Sequence, residues 1–149
     1  HWLPSHVYAD DAEANAAVAF LVRSYSDPGD PRHGPYVLGV ELANTRGLLG
    51  HVGFSPVDDK VEVSYAIAEA ERGHGYGVEA LVHACRWVAQ AFSLGSLVAA
   101  TATENLASRR LLEKADFLHV RDESTRFQGV QRVVSRYTWH AQANGGSGA

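Results

Sequence analysis

Six consecutive residues, Arg72-Gly73-His74-Gly75-Tyr76-Gly77, form the part of this chain best suited to holding an anion. They lie between an alternating apolar stretch, Val61 to Ile67, and an amphipathic stretch, Val78 to Phe92, so they read as a turn from a strand into a helix. Such a turn gathers backbone N–H groups that have no partner inside the helix and places them at the positive end of its dipole. Glycine has no Cβ, so it accepts positive φ and lets a ligand approach the backbone closely. The chemistry this implies is binding of phosphate or pyrophosphate. Spacing excludes two common versions of it. The third residue after Gly75 is Val78, where a dinucleotide fingerprint needs glycine, and no Gly-Lys-Ser/Thr follows as a mononucleotide loop requires.

Arg72, Gly75 and Gly77 fill the pattern Arg-x-x-Gly-x-Gly, which resembles the pyrophosphate-binding turn of the GNAT superfamily of acetyl-CoA-dependent N-acetyltransferases. A second segment runs Thr103-Glu104-Asn105-Leu106-Ala107-Ser108 and continues to Leu111-Leu112-Glu113-Lys114-Ala115-Asp116-Phe117. It resembles the Asn-x-x-Ser-x-x-x-Leu-Glu-Lys-x-Gly-Phe signature of the GNAT branch that acetylates ribosomal-protein N-termini. The resemblance implies acetyl-CoA as cosubstrate, with Arg72, Gly73, His74, Gly75, Tyr76 and Gly77 around its pyrophosphate. It also implies that Ile67 and Ala68 pair with the pantetheine like an added strand, that Asn105 binds the pantetheine arm, and that Ser108 protonates the departing thiolate. Many relatives place a tyrosine acid seven residues after the asparagine; that position here is Leu112. Asp116 stands where the signature has glycine, and aspartate tolerates the left-handed conformation of such a helix end better than most residues do.

Amide formation needs a neutral amine. Deprotonation at pH 7 costs about 1 kcal/mol for an α-amine with pKa near 7.7–8.0 and about 4–5 kcal/mol for a lysine near 10.4. A carboxylate placed to take that proton therefore assists either acceptor. Glu62-Val63-Ser64-Tyr65 resembles the Glu-x-Gly-Tyr of the same branch, and strand alternation puts Glu62 on the face opposite Val61 and Val63. Glu62 is the expected base, provided that burial or a neighbouring carboxylate raises its pKa. His51 is the second candidate, and Glu41 and Glu104 are candidates for shaping an acidic amine site. The resemblance implies an N-acetyltransferase acting on a primary amine, most directly the α-amine of a protein or peptide. A small-molecule amine such as an antibiotic or polyamine is the alternative acceptor, and a non-catalytic acyl-CoA-binding domain is the alternative class. No His/Cys/Asp cluster has metal-ligand spacing, so no metal is expected.

These residues need a scaffold. At 149 residues the chain suits one domain, able to bury about two-thirds of its unfolded surface. A net charge of −4 gives no footprint for nucleic acid, and no apolar run nears the roughly 18 residues that span a bilayer. The single cysteine, Cys85, excludes an intrachain disulfide, falls on an apolar helix face and fits a reducing cytoplasmic setting. Asp10 and Glu13 mark a capped helix start, with Val18, Leu21, Val22 and Tyr25 as its apolar stripe. Strands follow at 36–43, 48–55 and 61–68, a helix at 78–92, a strand at 97–103, a helix capped by Asn105, and strands at 117–121 and 130–139 across a loop at 122–129. The expected class is α/β (α+β): a GNAT-like mixed, mostly antiparallel sheet flanked by helices, without the family's first strand and first helix. Residues 1–9 are expected to be a remnant connection, 10–140 the domain, and 141–149 a flexible Gly/Ser-rich tail. A monomer and a homodimer both stay open.

Overall fold

The structure, a computed structural model, describes residues 10–24 and 29–142. In chain order it contains α1 (Asp11–Ser24), β1 (Tyr36–Glu41), β2 (Leu48–Val57), β3 (Lys60–Ile67), α2 (Tyr76–Ala91), β4 (Ser96–Ala102), α3 (Leu106–Lys114), β5 (Leu118–Phe127) and β6 (Val130–His140). A single 3-10 turn, Glu69–Glu71, separates β3 from the glycine segment. Asp10 caps α1 as expected, its Oδ1 accepting from the Glu13 N–H at 2.8 Å. The stripe expected at Val18, Leu21, Val22 and Tyr25 lies outside the described residues and side chains, as do residues 1–9 and 143–149.

Six strands form one sheet in the order β1-β2-β3-β4-β6-β5. Every neighbouring pair is antiparallel except β3 and β4, which run parallel and are joined through α2. Alternation sorts the side chains of β3 as the sequence implies: Val61 and Val63 are buried at 2% and 4%, while Glu62 and Ser64 face the other way. The core lies on the Val61 face, where Val52, Phe54, Leu97, Tyr137 and Trp139 of the sheet meet Leu81, Cys85 and Val88 of α2 and Leu112 of α3. Burial pushes the Cys85 thiol up to about 12, so it is an inert core residue. Tyr36 stacks on Trp87 at 5.9 Å and meets Phe92 edge-on at 5.3 Å, fixing the far end of α2 to β1.

The segment 122–129 is not a loop. Asp122 to Phe127 continue β5, and only Gln128 and Gly129 make the connection. Their φ values of 52° and 79° suit a two-residue hairpin turn with both central residues left-handed. The segment reads as irregular in sequence because β5 is an edge strand whose side chains are mostly exposed, so no apolar alternation marks it. Polar pairs with β6 take the place of that alternation: Ser135 Oγ donates to Asp122 Oδ1 at 2.6 Å, Gln131 Nε2 to Ser124 Oγ at 2.9 Å, and Arg136 Nε to Glu123 Oε1 at 2.7 Å.

Asp116 adopts the expected left-handed conformation, with φ of 65° just past α3. The Phe117 N–H bonds to the Leu112 carbonyl and the Asp116 N–H to that of Glu113, the paired closure of a Schellman motif. Leu112 and Phe117, both buried, complete it with an apolar contact in the core.

Candidate active site

The central feature is a parting of β3 from β4. Parallel pairing joins them at one position, Glu62 opposite Val98, and beyond it the strands diverge toward Ile67 and Ala102. Two sets of bonds hold the edges apart. On one side β3 stays in register with β2 as far as Ile67, and the Ala68 N–H continues the ladder to the Leu49 carbonyl at 2.7 Å. On the other side the Thr103 N–H and Oγ1 both turn to the Val133 carbonyl of β6. In an antiparallel ladder successive residues point their backbone groups to opposite sides, so Ile67 turns toward the gap when Ala68 turns toward β2. Both backbone groups of Ala68 are bound within the protein, since its carbonyl accepts from the Glu71 N–H. Of the two residues expected to pair with a pantetheine, only Ile67 thus offers an N–H to the gap.

The glycine turn stands at the open end. Gly73 and Gly75 have φ of 83° and 84°, and a Cβ at either would meet nothing within 4 Å. Gly75 is the N-cap of α2 and supplies no side-chain cap, so the first N–H groups of the helix point into open space. This is a cradle that fits a pyrophosphate. Arg72 Nε donates to the Ile67 carbonyl at 3.0 Å and braces the turn against β3. His74 stacks on Tyr76 with ring centroids 5.5 Å apart. Gly77 serves the packing of α2 on α3, because a Cβ there would lie 2.8 Å from Leu111 Cδ1.

Ser108 lies in the first turn of α3, held there by Asn105, whose Oδ1 accepts the Ser108 N–H at 3.2 Å. Its Oγ is 2.6 Å from the Tyr65 hydroxyl, and the same hydroxyl donates to the Ser108 carbonyl at 3.2 Å. Tyr65 thus bridges the gap from β3 to α3, a role that strand alternation does not reveal. Burial pushes its phenol up to about 12, against the opposing effect of the Ser108 bond, so it stays protonated. The alternation Val61, Val63, Tyr65, Ile67 marks Tyr65 only as core; the signal that could have found it is that a buried phenol must bond something. Arg109 locks α3 from its other side, donating to the Tyr137 hydroxyl at 3.2 Å and the Thr103 carbonyl at 3.4 Å.

Glu62 sits where the strands part, on the face opposite Tyr65 and Ser108. Burial raises its pKa above the usual carboxylate range, and the Arg136 guanidinium, 3.6 Å away, opposes that shift without cancelling it. The condition for a carboxylate base, a pKa raised by burial, is therefore met. His51 shares this face, two alternations further along, opposite Ala66. Glu104 stands at the mouth of the gap, accepting from Thr103 Oγ1 and paired with Arg132 at 3.7 Å. Glu41 is elsewhere: with Glu79 and His83 it lines a groove of about 460 Å³ between β1 and the first turns of α2. Among the described residues no group of His, Cys, Asp or Glu gathers as a metal site would, and no helix is long and apolar enough to cross a membrane.

The family model for the acetyltransferase (GNAT) domain matches residues 1–118. No curated protein sequence matches the chain. Among solved structures, a proposed ribosomal-protein-serine acetyltransferase of Vibrio cholerae superposes with TM-score 0.75 at 19% identity, covering 93% of this chain and 80% of that one. The ribosomal-protein-S5-alanine acetyltransferase of Vibrio fischeri gives 0.72 at 16% identity, with coverage of 88% and 72%. A mutant of the spermidine N-acetyltransferase of Vibrio cholerae gives 0.71 at 18% identity, with coverage of 86% and 76%.

Proposed function

This chain belongs to the GNAT acetyltransferase family, and we propose that it acetylates the α-amine of a protein or peptide N-terminus, in a cytoplasmic setting. The observation that carries the reading is the parting of β3 from β4 above Glu62 and Val98, with a carboxylate on one face and a bonded Tyr65–Ser108 pair on the other. Acetyl-CoA, when bound, supplies the acetyl thioester that the amine attacks. Gly73 and Gly75, with the N-terminus of α2, would hold its pyrophosphate, and the Ile67 backbone and Asn105 its pantetheine arm.

The chain's own groups then divide the proton work. Glu62 takes a proton from the acceptor amine at its carboxylate, and a raised pKa is an advantage here because a proton affinity better matched to the amine makes transfer less uphill. Ser108 Oγ gives a proton to the leaving sulfur. The Tyr65 hydroxyl has one hydrogen to share between the Ser108 carbonyl at 3.2 Å and Ser108 Oγ at 2.6 Å; when it goes to Oγ, the serine's own hydrogen is free for the sulfur. An alkyl thiol with pKa near 8.5 is a fair leaving group, so this second transfer contributes less than the first.

Likeness of fold to the two ribosomal-protein acetyltransferases and the Asn105–Phe117 signature support a peptide acceptor, while the spermidine enzyme's similar score supports a small polyamine as the second reading. A screen of acetyl-CoA consumption against N-terminal peptides and small amines separates them. Turnover is expected with peptides bearing a free N-terminal serine or alanine. Turnover with spermidine and none with peptides moves the acceptor to the second reading, and acetyl-CoA binding with no turnover on any amine leaves only a binding module.

A further inference from the structure

A row of alternating charges crosses the face of the sheet that carries Glu62. Arg136 Nη1 lies 3.6 Å from Glu62 Oε2, beyond hydrogen-bond distance, while Arg136 Nε donates to Glu123 Oε1 at 2.7 Å. The second oxygen of Glu123 accepts from Arg121 Nε at 2.9 Å. The row spans β3, β6 and β5, and on β4 the residues that lie between Glu62 and Arg136 on this face are Val98 and Ala100, short enough for Arg136 to reach across. On β2 the facing residues are Ser55, opposite Glu62, and Gly53, with His51 further along; Ser64 is the next residue of β3 on this side. Glu104 and Arg132 pair with each other at the mouth of the gap. Arg136 is thus the cation that addresses Glu62 directly, and Glu123 is the carboxylate that competes for it.

We infer that Arg136 and Glu123 are positioning residues that set the basicity of Glu62: Glu123 engages the near edge of the guanidinium and keeps Arg136 from closing a full ion pair with Glu62. The inference rests on the reading of Glu62 as the base. A nearby cation lowers a carboxylate pKa by about 1–3 units, and a hydrogen bond to the charged form favours it further, so a guanidinium bonded to Glu62 would make it a poorer proton acceptor than one held at 3.6 Å. Glu123 prevents this because its own carboxyl is held low, first by the Arg136 bond and then by the Arg121 bond, so it keeps its charge and its hold on Arg136. The burial that raises Glu62 then prevails over the charge of Arg136, which stands 3.6 Å away without a hydrogen bond to it.

The test is a ¹³C NMR titration of glutamate carboxyl groups, with Glu62 assigned by its disappearance in Glu62→Gln, run beside the pH dependence of kcat/KM with one acceptor. The acceptor's own titration is common to all variants, so differences report the enzyme. Glu123→Gln is expected to lower the Glu62 midpoint by about one pH unit and Arg136→Gln to raise it by a similar amount, with the acid limb of kcat/KM moving in the same directions. Arg136→Lys, which keeps the charge, is expected to return the midpoint toward the parent value and covers the case in which Arg136→Gln does not fold. A Glu62 midpoint unmoved in Glu123→Gln, or in a folded Arg136→Gln, overturns the inference and leaves the base assignment standing. Midpoints that move as expected while the acid limb stays fixed overturn the base assignment instead.

Discussion

The glycine turn and the Glu62 face, to which the proposal gives different chemistry, are built in different ways. The cradle at Gly73–Gly75, proposed to hold an anion, is made of backbone groups contributed by neighbours in the chain: two residues have positive φ and a helix begins beside them. The proposed proton chemistry uses side chains far apart in sequence: Ser108 bonds Tyr65, 43 residues earlier, and Glu62 faces Arg136 and, behind it, Glu123. A local backbone site is specified by spacing. A side-chain site is specified by which strands lie side by side and by how much water they exclude.

The largest effect is expected at Glu62. Glu62→Gln keeps the shape but cannot accept a proton, so kcat should fall by roughly 10²-fold or more at neutral pH and recover in part as pH rises and the amine deprotonates unaided. The same variant should melt higher than the parent at neutral pH. The folded-state pKa of Glu62 is raised, so its favourable contribution is present below the unfolded pKa and lost as pH rises through the folded one. Glutamine escapes that loss, and the difference in Tm should vanish in acid. A variant with full kcat would remove the side-chain half of the comparison.

A comparable loss is expected at the turn, in binding instead of turnover. A ligand at a hundredfold excess over Kd stabilises the folded state by about 2.7 kcal/mol, seen as a rise in Tm with acetyl-CoA. Gly75→Val should abolish that rise, because the new side chain is forced into the open cradle from a strained φ. Gly77→Val makes the contrast: it should destabilise the protein without ligand by about 1–3 kcal/mol, through Leu111 and Ile67. Equal unliganded Tm values for the parent and Gly77→Val would show that the α2–α3 contact is not what this glycine serves.

Smaller effects test the Tyr65–Ser108 pair. Ser108→Ala should cost about tenfold in kcat with acetyl-CoA binding nearly intact, since a thiolate needs an acid only modestly. Tyr65→Phe should cost about fivefold, the worth of one hydrogen bond of about 1 kcal/mol, and should add little to Ser108→Ala in the double variant. Additive losses would mean that Tyr65 acts through packing alone. The smallest change is outside both regions. Asp116→Gly should raise stability by up to about 1 kcal/mol in a denaturant titration, because Asp116 carries φ of 65° that glycine adopts without strain.

The sequence alone determined the order of elements from α1 through α3, the glycine turn and the Asn105 cap, because each is written in contiguous residues as alternation, helical spacing and capping offsets; the fold class and the left-handed Asp116 followed from the resemblance that its motifs carry. The position of Glu62 on the polar face of β3 followed from the same alternation. Only the tertiary structure decided that Asp122 to Phe127 form a strand, since an edge strand paired through polar side chains has no apolar period to betray it. It decided that Gly77 faces Leu111, that Tyr65 meets Ser108, that Glu41 lines a groove with Glu79 and His83 of α2, and that Arg136 stands between two carboxylates. Those outcomes depend on strand order, on the parting of β3 from β4 and on burial, quantities that arise when distant segments pack and that no local spacing records.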